Sequence, residues 1–155
     1  MRIEGERSID IAAEPAAVWA LVADIARMGE WSPHTVEARW VDPLDGEGPA
    51  VGKQFRGTNR LPVVRQWTST ATITECDPGR RFAFAVGRNA DDPNTLWRYD
   101  FERGPSGGTR VTERWHMLRE PWIVLVYYRL IGQSQRIARG VEATLRNLKA
   151  AAEKT

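Results

Sequence analysis

Residues 97–117 read WRYDFERGPSGGTRVTERWHM. Trp97, Tyr99 and Phe101 alternate with Arg98, Asp100 and Glu102; after GPSGG, Val111, Glu113, Trp115 and Met117 alternate with Arg110, Thr112, Arg114 and His116. Side chains two apart share one face of a strand. Two alternating runs joined by a Gly-rich turn predict an antiparallel hairpin. One face is dry and aromatic, the other wet and charged. One dry position breaks the rule, because Glu113 is a carboxylate among rings.

The same period extends upstream. Phe82, Phe84 and Val86 follow the tight-turn signal Asp77-Pro78-Gly79. Before it, a threonine-rich strand is expected from Gln66 to Glu75. Thr68, Thr70, Thr72 and Thr74 form its wet side; Trp67, Ser69, Ala71 and Ile73 form its dry side. A strand near 53–60 places Phe55, Gly57 and Asn59 together, and another carries Val36, Ala38 and Trp40 on one face. The Gly- and Pro-rich stretch DPLDGEGPAVG, 42–52, is a loop. Ser8 to Ile11 reads as a first strand. Pro15 then opens a helix with Val18, Leu21, Val22 and Ile25 at helical spacing, and Trp31-Ser32-Pro33 ends that region.

Downstream, Pro121 opens a long helix expected to run close to the C-terminus. Ile137, Val141, Thr144, Leu145 and Leu148 fall on one side, with Arg129, Arg136, Arg139 and Arg146 roughly opposite. The start of this segment is unusual, since Trp122 to Tyr128 form an unbroken apolar run. Leu125 and Tyr128 point toward the arginine side, unless Gly132 breaks the helix and changes its phase. Loops, a second subunit in a homodimer, or an opening for an apolar ligand are three coverings for them.

Composition bounds the function. A chain of 155 residues, 42% hydrophobic and 27% charged, is expected to form one domain over 1–155. The net charge of +2 supplies no strong basic field, so no nucleic-acid partner is expected. The polar, alternating N-terminus is not a signal peptide, and the 122–128 run is too short to be a transmembrane segment. The single cysteine, Cys76, makes a cytoplasmic location the expectation. Two distant histidines and one cysteine have no metal-ligand spacing, so no metal and no cofactor are expected. No GxSxG, P-loop or GxGxxG is present.

An aromatic dry face with sparse polar groups is what a small-molecule site needs. The candidate ligand-binding residues are Trp31, Phe55, Asn59, Trp67, Phe84, Trp97, Tyr99, Glu113, Trp115, Ile137, Val141 and Thr144. Glu113 is the catalytic candidate, as a general acid or base with a raised pKa. Its alternatives are pairing with an arginine, or a bulge that turns it outward. Asn59 and Tyr99 are candidates to polarise a carbonyl. Gly57 and Gly140 either make room for a ligand or mark a strand bend or a close helix–sheet contact. His34 is either a base at the mouth or a surface loop residue.

The order strand, helix, Trp31-Ser32-Pro33, GKQFRGTNR, Trp67, CDPGRRFAF, Trp97-Arg98-Tyr99, GGTRVTERW and GVEATLRNLKAAAE resembles the polyketide cyclase/dehydrase and lipid-transport family. That family lies within the START/Bet v 1-like helix-grip superfamily. The resemblance implies an α+β fold. In it a curved antiparallel sheet of about seven strands wraps a long C-terminal helix, with two short helices after strand 1. It implies a cavity between sheet and helix. The function expected is binding or transport of a hydrophobic small molecule, such as a lipid, isoprenoid or polyketide. The alternatives are a polyketide cyclase, aromatase or dehydratase using Glu113, and an interaction or dimerisation module acting through the 122–128 patch.

Overall fold

The computed structural model describes residues 3–42, 48–60, 66–119, 130 and 132–154. Seven strands form one antiparallel sheet: β1 (Ile3–Ile11), β2 (Thr35–Trp40), β3 (Gln54–Asn59), β4 (Trp67–Asp77), β5 (Arg81–Gly87), β6 (Pro93–Arg103) and β7 (Thr109–Met117). Their order is β1-β7-β6-β5-β4-β3-β2. From β2 to β7, neighbours in sequence are neighbours in space, with glycine-bearing turns after β4 and after β6. Gly79 and Gly107 adopt positive φ of 77° and 84° at those two turns, a region costly for residues with a Cβ. The first strand closes the order by pairing with the last, Ile3 opposite Met117 through to Ile11 opposite Thr109.

Between β1 and β2 lie α1 (Pro15–Ala23), a 3₁₀ turn (Ile25–Arg27) and α2 (Met28–Trp31). Pro15 occupies the first turn of α1, as expected. Trp31 belongs to α2 and is buried, so the Trp31-Ser32-Pro33 break falls after it. The C-terminal helix α3 (Gln133–Ala152) packs on β1, α1 and α2. Gly132 precedes it with φ 69°, so a turn opens this helix. The expected start at Pro121 and the 122–128 patch lie outside the described residues.

The core packs between the concave sheet face and the helices. Phe55, Phe82, Phe84, Tyr99, Phe101 and Trp115 meet Val18, Val22 and Ile25 from the N-terminal helices and Val141, Leu145 and Leu148 from α3. Each such ring or branched side chain contributes about 1.5–3 kcal/mol on leaving water. Arg136, Arg139 and Arg146 lie on the exposed side of α3, as the helical period requires.

Three expectations about β4 and the outer face need correction. β4 runs from Trp67 to Asp77 rather than ending at Glu75. A bulge between Ile73 and Glu75 shifts its register and sets Ile73 and Cys76 on one face, opposite Phe84 and Phe82. Strict alternation could not show that, and the Cys76 thiol reaches the carbonyl of Pro49 at 3.3 Å. Thr72 is not wet but 7% exposed, and its hydroxyl accepts from Gln54 Nε2 at 3.0 Å. Asp100 is likewise buried on the outer face, beneath Arg81, Arg98 and Arg114, all of which ion-pair with it. Burial alone would raise its carboxyl, but hydrogen bonds from Arg98 and Arg81 outweigh that and hold it below the usual range.

Candidate functional site

The concave face is organised in cross-strand rows. One row runs Arg7, Glu113, Tyr99, Phe82 across β1, β7, β6 and β5. The next runs Gly5, Trp115, Trp97, Phe84, Ile73. Directly opposed residues lie on the same face with Cβ atoms about 4.5–5.5 Å apart. Glu113 therefore sits inside the sheet's concavity with an arginine on one side and a phenol on the other.

Glu113 is 4% exposed. Neither alternative offered by the sequence applies. The β1–β7 and β6–β7 registers run unbroken past it, so no bulge turns it out. Arg7, its cross-strand neighbour, spends its guanidinium elsewhere: Nε donates to Glu142 Oε1 at 3.0 Å, and a terminal nitrogen donates to the Glu6 carbonyl at 2.7 Å. The partner Glu113 does have is Tyr99, whose hydroxyl donates to Oε1 at 2.8 Å. Its second oxygen, Oε2, is buried with no hydrogen-bond partner among the described residues.

Burial in this setting pushes the Glu113 carboxyl from 4.5 up to about 8, against a smaller downward pull from the Tyr99 hydrogen bond. Burial also raises the Tyr99 phenol well above its ordinary value, reinforced by the carboxyl beside it. At neutral pH both groups hold their protons. Tyr99 spends its proton on Oε1, so the carboxyl's own proton belongs on Oε2. What results is a fixed O–H donor inside an apolar wall, without an acceptor among the described residues.

The remaining candidates divide. Phe55, Phe84, Trp115, Val141 and Thr144 are buried, and Trp97 and Ile137 pack half-buried against them. Phe55 meets Phe84 and Trp40 edge-on, at centroid distances of 5.1 and 5.9 Å. The Thr144 hydroxyl donates to the Gly140 carbonyl at 2.8 Å within its own helix, so it offers no free donor to a ligand. Trp31 is anchored by Asn147 Nδ2, which donates to its carbonyl at 2.9 Å, and by the Arg27 guanidinium 5.3 Å from its ring. Trp67 stands at the β4 end and is 40% exposed, away from the buried row. Asn59 donates to Ser69 Oγ at 2.9 Å, a cross-strand bond that fixes its amide.

The two glycines resolve differently. At Gly140 a Cβ would stand 2.7 Å from His34 Nε2, so the imidazole fills that notch and the contact is a close helix–loop approach. His34 is thus half-buried rather than a plain surface residue, and burial lowers its pKa. Gly57 is buried, yet among the described residues a Cβ there would meet only Asn59 Oδ1, at 3.9 Å. With Ala38 and Ser69 as its cross-strand neighbours, Gly57 marks a place where small residues leave room on the concave face.

Sequence reasoning missed Gly5 and Arg7, because β1 begins at Ile3 rather than Ser8. Their signal is the alternation Ile3, Gly5, Arg7, Ile9, Ile11, hidden by a glycine and an arginine at dry positions. Gly5 leaves space that the Trp115 indole occupies, and a Cβ there would collide with the ring. Two hollows have linings that do not include Glu113. One of about 440 Å³ is bordered by Glu4, Glu6, Arg98, Arg114 and His116 and also touches Gly5 and Trp115, and one of about 560 Å³ is bordered by Asp10, Glu14, Ser106 and Lys149. Among the described residues no group of three or more His, Cys, Asp or Glu side chains is placed to hold a metal ion, and no helix is long and apolar enough to cross a membrane.

A seven-stranded antiparallel sheet curved about a long C-terminal helix, with short helices after the first strand, defines the helix-grip class. Within it, the chain belongs to the family described as polyketide cyclase/dehydrase and lipid transport, which matches residues 2–153. The solution structure of Cgl2372, a polyketide-cyclase-like protein from Corynebacterium glutamicum, is 30% identical, with 99% of this chain aligned to 91% of that one at a TM-score of 0.59. The di-domain ARO/CYC proteins StfQ, from the steffimycin biosynthetic pathway, and BexL share the fold at 14% and 18% identity, with TM-scores of 0.74 and 0.72. This chain covers 51% of each of those two. No functionally curated protein matches the sequence.

Proposed function

We propose that the protein binds a hydrophobic small molecule carrying a carbonyl or similar acceptor, held on the concave face between the sheet and α3. The observation that carries this is the Glu113 carboxyl. It is buried, hydrogen-bonded on one oxygen by Tyr99 and without a partner on the other among the described residues. A buried donor left without an acceptor costs about 1–3 kcal/mol, and a ligand carbonyl at Oε2 would remove that cost. The aromatic wall of Phe84, Trp97 and Trp115 supplies apolar contact, and no described side chain but Asn59 stands within 4 Å of a Cβ at Gly57, which leaves room there. Membership of a family that spans cyclisation and lipid transport agrees with a ligand of this kind.

The test is native mass spectrometry of delipidated protein against a panel of fatty acids, isoprenoids and aromatic polyketides, run beside Glu113→Gln and Glu113→Leu. Carbonyl-bearing apolar compounds should bind, Glu113→Gln should retain a donor and much of the affinity, and Glu113→Leu should lose it. Binding of no apolar compound would defeat the proposal.

A second, catalytic role has one observation in its favour. A carboxyl with a pKa of about 8 holds its proton at neutral pH, yet lies close enough to that range to exchange it. If the bound molecule enolises or loses water, Glu113 would give its proton to the ligand oxygen from Oε2, with Tyr99 holding the other carboxyl oxygen. The ARO/CYC names of StfQ and BexL make aromatase and cyclase substrates the first to assay. Glu113→Gln should then retain binding while abolishing turnover.

A further inference from the structure

Arg7 stands out as a charged residue on the concave face whose present partner is a surface one. It lies directly opposite Glu113 in the β1–β7 ladder, so both side chains leave the same face. Its guanidinium leans away, over the Trp115 ring at 5.9 Å and onto Glu142 of α3. Both members of that ion pair are 44% exposed. An exposed pair of this kind is weak, because water screens it and two long side chains must be held still. A charge on the buried Oε2 would be a far stronger attractor, since nothing there solvates it.

We infer that Arg7 is a swinging counter-ion for the Glu113 site: it rests on Glu142 while Glu113 is protonated and turns inward to Oε2 when a negative charge appears there. Three features make the swing cheap. The resting bond is solvent-exposed. The Trp115 indole, seated over Gly5, gives the guanidinium an apolar surface to slide across. The reach needed is only that of one cross-strand neighbour.

Among the described residues the charged and titratable groups around Glu113 are few. β6 presents Tyr99, β1 presents Arg7, and α3 brings Glu142 to Arg7 while turning Val141, Thr144, Leu145 and Leu148 into the core. Trp115 and Val111 flank Glu113 on its own strand and are apolar. Arg7 is therefore the one cation facing Glu113 among these residues.

The device deepens the proposed function and rests on the same site. With Glu113 protonated and Arg7 held by Glu142, the site takes an uncharged acceptor. If Glu113 gives its proton to the oxygen of a bound carbonyl, the O–H bond at Oε2 breaks as the one on the ligand forms, and Arg7 supplies the charge that balances the carboxylate left behind. The ligand class so selected is an apolar ketone or ester whose oxygen can take up a proton.

The test uses the ligand-free protein, so it can succeed or fail whether or not the proposed ligand binds. The Glu113 carboxyl carbon is followed by ¹³C NMR through a pH titration in wild type, Glu142→Gln, Arg7→Met and the double variant. Freeing Arg7 from Glu142 should lower the Glu113 midpoint by about one pH unit, the effect of an opposite charge coming within a few ångströms. Arg7→Met should raise the midpoint, and Glu142→Gln should have no further effect in the Arg7→Met background. Equal lowering by Glu142→Gln with and without Arg7 would mean that Glu142 acts through its own field, and would overturn the inference. So would an unchanged midpoint in Arg7→Met.

Discussion

The buried carboxyl makes stability fall with rising pH in a window set by Glu113. In the unfolded chain Glu113 ionises near 4.5, and in the folded protein at about 8. Below 4.5 both states hold the proton, and the group has no effect on the balance. Between 4.5 and about 8 only the unfolded state releases it, so folding loses about 1.36 kcal/mol per pH unit. Above about 8 the loss is complete, at about 5 kcal/mol in all. Between pH 5 and 7.5 the expected loss is about 3 kcal/mol. Glu113→Gln keeps the shape and the oxygen that accepts from Tyr99, but cannot ionise. Its amide nitrogen stands where Oε2 has no partner, an unmet donor that the protonated carboxyl also carries, so this cost does not change with pH in the variant. The assay is urea denaturation of both proteins at half-unit pH steps, and the quantity of interest is their difference. Other titrating groups, His34 among them, cancel in it. The difference should shift in favour of the glutamine variant by about 3 kcal/mol from pH 5 to 7.5. Two parallel stability curves would refute the reasoning, since they would mean that Glu113 ionises alike in the folded and unfolded chain.

Tyr99→Phe removes the hydrogen bond that pulls the Glu113 pKa down, so the Glu113 midpoint should rise and stability at neutral pH should drop by about 1–2 kcal/mol, read by NMR titration and urea melts. Gly5→Ala forces a Cβ into the Trp115 indole, a rigid buried ring, and should destabilise by about 1–3 kcal/mol with a shifted tryptophan emission. Gly57→Ala meets nothing closer among the described residues than Asn59 Oδ1 at 3.9 Å, so it should leave stability unchanged or slightly higher. The same methyl should weaken binding of a ligand long enough to extend over β3, measured by tryptophan quenching.

The fold was largely legible because alternation and turns are local. The hairpin of β6 and β7, the turns at Gly79 and at Gly107, and the apolar side of α3 all follow from spacing that side-chain direction enforces. Glu113 was legible for the same reason, as a carboxylate at a dry position. What lay beyond the sequence depended on partners from distant strands. Nothing in the spacing says that the Tyr99 hydroxyl meets Glu113, or that Arg7 turns away from it, over Trp115, to reach Glu142. The bulge at Ile73/Glu75 was hidden because a threonine repeat looks regular on either side of it. Thr72 and Asp100 looked wet because composition marks them polar; long neighbouring side chains on the outer face bury them. His34 against Gly140 joins residues a hundred positions apart, which a glycine alone cannot announce.

The most direct test of the central claim is the ¹³C shift of the Glu113 carboxyl measured with and without a saturating apolar carbonyl compound at neutral pH. A ligand oxygen accepting from Oε2 should move that resonance while the carboxyl stays protonated, and should raise its midpoint further. A compound that binds tightly yet leaves the Glu113 resonance and midpoint where they were would contradict the account.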